Sequence, residues 1–192
     1  MAKTESTMLE LGTPSPDFSL PDVISQKTVS LSDFAGKPLL VAFLSVHCPY
    51  VQLIRHEFSR YAREYMNKNL AIVAIQANDI QAYPEDGPQG MRDDARRFRY
   101  PFPYLLDETQ ETAKAYKAAC TPDLFLFDAD HKLYYRGQFD DSRPGSDIPV
   151  TGASLRAATD ALLAGRPAPA EQRPSMGCNI KWKPGNEPDY FG

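Results

Sequence analysis

The chain has 192 residues, a formal net charge of −4, 42% apolar residues and 24% charged residues, the profile of one globular domain able to build its own core. The acidic balance gives no general attraction to nucleic acid or an anionic membrane, and no apolar run approaches the ~20 residues of a bilayer span. Three cysteines are too few for a disulfide framework, and the polar start from Met1 to Pro16, with Glu5 and Glu10, does not read as a secretory signal. The expectation is a cytoplasmic protein with at least one free thiol.

In chain order, Leu39 to Leu44 is a continuous apolar run and reads as a buried strand. Residues 50 to 66 place Val51, Ile54, Phe58, Tyr61, Ala62 and Tyr65 on one helical face. Leu70 to Ile75 is a second buried strand, followed by a polar, proline-containing stretch from Asn78 to Pro88. Residues 89 to 99 read as a helix with Met91, Ala95 and Phe98 inward. Its arginines, Arg92, Arg96, Arg97 and Arg99, alternate with Asp93 and Asp94 as a solvated face does. The Tyr100 to Tyr104 segment is an extended aromatic connector, and Tyr104 to Leu106 a short strand. Asp107 is placed to cap the next helix, with Ala113 and Tyr116 facing inward. Leu124 to Phe127 and Leu133 to Arg136 flank Asp128-Ala129-Asp130-His131 as a hairpin. A last helix spans 152 to 164, closed by Gly165 and Pro167. The order predicts an α/β fold: a mixed central sheet with helices on both faces. Residues 1–165 form this domain, and the proline-rich residues 166–192 an extended tail packed on it.

The chemistry points to Cys48, in Ser45-Val46-His47-Cys48-Pro49. Proline suits the first helical position, so Cys48 falls at the N-cap. There the free N–H groups and the helix dipole favour the thiolate, which is the nucleophile. The position is also at the carboxyl end of a parallel strand, where open α/β sheets place their sites. A buried, inert thiol is the plain alternative. His47 either tunes the thiol, carries a proton, or packs. No metal or cofactor is expected: the cysteines are not paired as C-x-x-C, and His47, His56 and His131 lack ligand spacing. Asp140 to Gly145 reads as a polar turn near the same sheet end.

These residues resemble the AhpC/TSA (peroxiredoxin-like and TlpA-like) branch of the thioredoxin superfamily. The resemblance runs from about residue 9 to 164. It begins with Gly12-Thr13-Pro14-Ser15-Pro16-Asp17-Phe18-Ser19-Leu20 and continues through Val29 to Pro38 into His47-Cys48-Pro49. It closes with Thr121-Pro122-Asp123-Leu124-Phe125-Leu126-Phe127-Asp128, similar to the cis-proline strand of thioredoxin-like folds. The resemblance implies a thioredoxin-like fold, a cis Pro122, and a site lined by Thr121 and Pro122. The chain departs from the family patterns at three places. Val51 stands where C-x-x-C proteins have a second cysteine. Val41 replaces the proline of P-x-x-x-[ST]-x-x-C, although Ser45 keeps the hydroxyl. Pro122 falls where peroxiredoxins have an arginine, leaving Arg136, Arg143 or His47 to supply charge.

The implied function is a thiol-dependent oxidoreductase, a peroxiredoxin-like antioxidant in which Cys48 attacks peroxide or a protein disulfide, with Ser45, His47 and Pro49 around it. Cys120 and Cys178 are the resolving candidates, and the sequence does not choose between them. Two alternatives stay open: thiol–disulfide exchange without peroxidase activity, and a non-catalytic thioredoxin-fold binding module. The implied partners are peroxide or a disulfide and an external thiol reductant such as a thioredoxin, with a homodimer left open.

Overall fold

The computed structural model describes residues 3–191. A five-stranded sheet runs in the order β6-β5-β4-β8-β9, built from β4 (Leu39–Phe43), β5 (Ala71–Gln76), β6 (Tyr104–Leu106), β8 (Asp123–Phe127) and β9 (Leu133–Arg136). β4 pairs parallel with β5, and β5 with β6, while β8 and β9 are antiparallel. The expected mixed sheet is present.

Alternation along β4 divides the core in two. Leu40 and Ala42 face a layer made by α1 (Pro49–Met66), α2 (Pro88–Phe98) and α4 (Ala153–Leu163), through Val51, Ile54, Phe58, Met91, Phe98, Leu155 and Ala158. Leu39, Val41 and Phe43 face Ala113 of α3 (Glu111–Ala115) with Tyr116, and Phe18 and Ile180 from the two ends of the chain. The expected aromatic connector is seen in the stacked rings of Tyr100 and Phe102, with Phe102 edge-on to Phe58.

Two details differ from the sequence reading. Asp107 does not cap α3 from its first position: the N-cap is Gln110, at φ 67°. Asp107 reaches further, accepting from the Ala113 N–H at 2.8 Å. The stretch after Arg166 is more than a packed tail. Its residues Met176–Asn179 form β10, the middle strand of a second sheet with β1 (Lys3–Glu5) and β7 (Cys120–Thr121). Lys3 pairs with Cys178, and Cys178 with Thr121. These strands are only two to four residues long, too short for a periodic pattern to reveal. A small hairpin of β2 (Ser19–Pro21) and β3 (Thr28–Ser30) covers the sheet edge.

Candidate active site

The parallel β4 stops at Phe43, and α1 starts at Pro49 with Cys48 as its N-cap in extended geometry, φ −69° and ψ 121°. Opposite it, the Thr121–Pro122 peptide is cis. Strand β10 lies across that peptide and brings Cys178 to the other side of the sulfur. Cys48 Sγ is 2.9 Å from Cys178 Sγ and 3.1 Å from the Thr121 carbonyl oxygen. Gly177 makes this approach feasible: a Cβ there would sit 2.0 Å from the Thr121 carbonyl oxygen. Glycine is the residue that lets two backbones come this close.

The thiol acidity follows from this arrangement. Donation from the Cys178 thiol is the leading cause that brings the Cys48 pKa down to about 6; burial opposes it, and the Thr121 hydroxyl and the Val51 N–H add to it. The Val51 N–H is one of the free amides of the first helical turn. Holding that shared proton pushes Cys178 the other way, well above the ordinary thiol range. The two shifts run in opposite directions, Cys48 down and Cys178 up, which makes Cys48 the more acidic thiol of the pair. Both residues are buried, at 0% and 3% exposure.

The other candidates separate into groups. Ser45 is buried behind the sulfur, its hydroxyl 3.2 Å from that of Thr121. Pro49 takes the first helical position. His47 turns to Asp86, with Nδ1 2.5 Å from Oδ2, and stacks on Tyr83 at 4.9 Å. That carboxylate raises the His47 pKa. Cys120 is fully buried and does not meet Cys48; its sulfur is 3.6 Å from the Pro122 carbonyl oxygen. Burial is the main cause pushing its thiol up. Arg136 is wholly buried, donating to the Lys117 carbonyl and to Asp123 at 3.1 Å. Arg143 donates to the Asp140 and Ser142 carbonyls and to Gln138. The Arg143 guanidinium is thus occupied within its loop, whereas Arg136 bonds through Nη2 alone, its Nε and Nη1 buried without a partner among the described residues. Asp140 organises its loop, accepting from the Thr151 and Gly152 N–H groups at the start of α4. His56 packs edge-on against Phe98, and His131 sits in the β8–β9 turn.

Sequence reasoning missed Asp86. Its carboxylate accepts from the Val46 and His47 N–H groups, at 2.7 and 3.2 Å, and from Asn78 Nδ2 at 2.8 Å. It pins the turn that delivers Cys48. It lies in a 3-10 turn, Pro84–Asp86, inside the polar stretch read as loop. Lys181 was also missed. It lies three residues beyond Cys178, and its ammonium donates to Asn179.

Comparison with known proteins agrees with this geometry. The AhpC/TSA family profile matches residues 11–136. A crystal structure of an uncharacterized conserved protein from Geobacillus kaustophilus is 53% identical, covers 96% of this chain and 98% of its own, and superposes with a TM-score of 0.94. Thiol-disulfide oxidoreductase ResA of Geobacillus kaustophilus (strain HTA426) is 30% identical over 133 residues, 68% of this chain and 70% of that protein. A thioredoxin-family thiol:disulfide interchange protein from Chlorobium tepidum shares the fold, with a TM-score of 0.61 at 17% identity over 81% of this chain and 99% of its own. The fold is thioredoxin-like, and the chain belongs to the AhpC/TSA family.

Proposed function

We propose that this AhpC/TSA-family thiol oxidoreductase exchanges thiols and disulfides through an intramolecular couple of Cys48 and Cys178. The observation that carries the reading is the meeting of the two sulfurs at 2.9 Å across 130 residues of sequence. Val51 leaves no C-x-x-C partner on α1, and β10 supplies one from the far end of the chain. The Cys48 thiolate attacks one sulfur of a substrate disulfide, forming a mixed disulfide and releasing the other sulfur as thiolate. Cys178 then attacks Cys48 Sγ, closing the internal disulfide and freeing the reduced substrate. An external dithiol returns the couple to its starting state.

The relative named as a thiol-disulfide oxidoreductase supports exchange. Against peroxide as the main oxidant, Arg143 is bonded within its own loop and Arg136 is paired with Asp123 through one of its nitrogens.

The test is peptide mapping of protein oxidised by glutathione disulfide or by hydrogen peroxide. A Cys48–Cys178 linkage is expected with glutathione disulfide, and a stable glutathione adduct on Cys48 in Cys178→Ser. A Cys48–Cys120 linkage would reassign the couple. An inert Cys48 with ordinary acidity would make the protein a binding module. Faster peroxide consumption by the wild type than by Cys48→Ser, together with slow reaction toward disulfides, would move the reading to a peroxidase.

A further inference from the structure

Lys181 is a largely buried lysine whose ammonium pairs with no carboxylate among the described residues. The residue is 8% exposed, and its Nζ donates to the main-chain and side-chain oxygens of Asn179, at 2.6 and 2.8 Å. No carboxylate lies within ion-pair distance of it among the described residues. Burying a cation in this way is costly unless a negative charge compensates it. The lysine is nevertheless fixed firmly. Its N–H donates to Asn78 Oδ1 at 2.8 Å, and its carbonyl accepts from the Asp79 N–H and Gln110 Nε2 at 2.8 and 3.0 Å.

The surroundings name the compensating charge. Asn179, which holds the ammonium, directly follows Cys178 in β10. On the other side the ammonium stands 5.9 Å from the Tyr83 ring, which stacks on His47, the neighbour of Cys48. The ammonium is thus held next to the strand that carries Cys178 and near the ring that stacks on His47. The titratable groups whose charge it senses are Cys48, Cys178, Asp86 and His47. Burial lowers the Lys181 pKa, and both thiols and Asp86 raise it, while Lys181 in turn makes Cys178 more acidic.

We propose that Lys181 is a positioning residue for the resolving step: anchored on Asn179, it stabilises the thiolate that Cys178 must become. The inference rests on the Cys48–Cys178 couple proposed above. While Cys48 is a thiolate, Cys178 keeps its proton by donating it. Once Cys48 is bonded to a substrate sulfur, that acceptor is gone. Cys178 then loses its proton to water admitted with the substrate, and Lys181 stays protonated beside the new charge. The Cys178 thiolate attacks Cys48 Sγ. The Cys48–Cys178 bond forms as the Cys48–substrate bond breaks, and the substrate sulfur leaves with the electron pair and takes a proton from solvent. Two electrons pass from the dithiol to the original disulfide.

An uncharged dipyridyl disulfide separates the steps, because Cys48 attack and Cys178 resolution each release one equivalent of coloured thiopyridone. Stopped-flow traces of the reduced full chain are recorded across pH. In Lys181→Met the second release is expected to slow about tenfold near neutral pH, and its midpoint to rise by about one pH unit. The first release is expected to change less than twofold, and Lys181→Arg to restore the second. An unshifted second midpoint in Lys181→Met overturns the inference. So does equal slowing of both releases that arginine fails to rescue, since that marks a packing role. Cys178→Ser is the control on the underlying reading. If it retains the second release, the couple itself is wrong; if it loses that release while Lys181→Met matches wild type, only the role of Lys181 falls.

Discussion

The acidity of Cys48 comes from donors at three places in the chain: the Cys178 thiol, the Thr121 hydroxyl and the Val51 N–H. Removing the strongest should show directly. Cys178→Ala is expected to raise the Cys48 pKa from about 6 back toward the ordinary thiol range, whereas Cys178→Ser, which keeps an O–H donor, should raise it less. Thiolate ultraviolet absorbance against pH measures both. Asp86 acts one step further back. Asp86→Ala would orphan the Val46 and His47 N–H groups and Asn78 Nδ2, costing about 3 kcal/mol or more. Part of that cost is the ion pair with His47, whose pKa is raised. A raised histidine contributes stability that is complete below its ordinary pKa and fades as pH rises through the raised value. The loss measured by urea unfolding should therefore be larger near pH ~6 than near pH ~9.

At the scale of elements, β10 is the part that turns one acidic thiol into a couple, and its fit depends on Gly177. Gly177→Ala would drive a methyl group into the Thr121 carbonyl, 2.0 Å from the added carbon. The expected result is a loss of roughly 1–3 kcal/mol, with a higher Cys48 pKa and slower disulfide closure although neither thiol is touched. Unchanged closure, followed by mass shift after quenching, would count against this fit. What the sequence disclosed tracks what repeats along it. The runs at 39–44 and 70–75, the apolar face of α1 and the 124–136 hairpin follow periods of burial, and Pro49 marks the N-cap. Strands β1, β7 and β10 do not, because Lys-Thr-Glu, Cys-Thr and Met-Gly-Cys-Asn owe their pairing to partners far away in sequence. Cys178 was legible only as a candidate for that reason, and Asp86 was hidden among turn residues whose function depends on tertiary approach.

For the whole molecule, oxidation of the couple would close a loop between residues 130 apart. In the chain-entropy account such a cross-link restricts the unfolded state by on the order of 5 kcal/mol. The oxidised protein is expected to melt roughly 10 °C or more above the reduced one, and scanning calorimetry of Cys178→Ser should show no such gap. The third cysteine offers something different. Cys120 is fully enclosed, and its thiol is held protonated by burial. A native sample treated with an alkylating reagent will label that sulfur only during excursions that dismantle the core around β7. Its labelling rate is consequently a stopwatch for global opening, carried by the chain itself and readable without engineering a reporter into it.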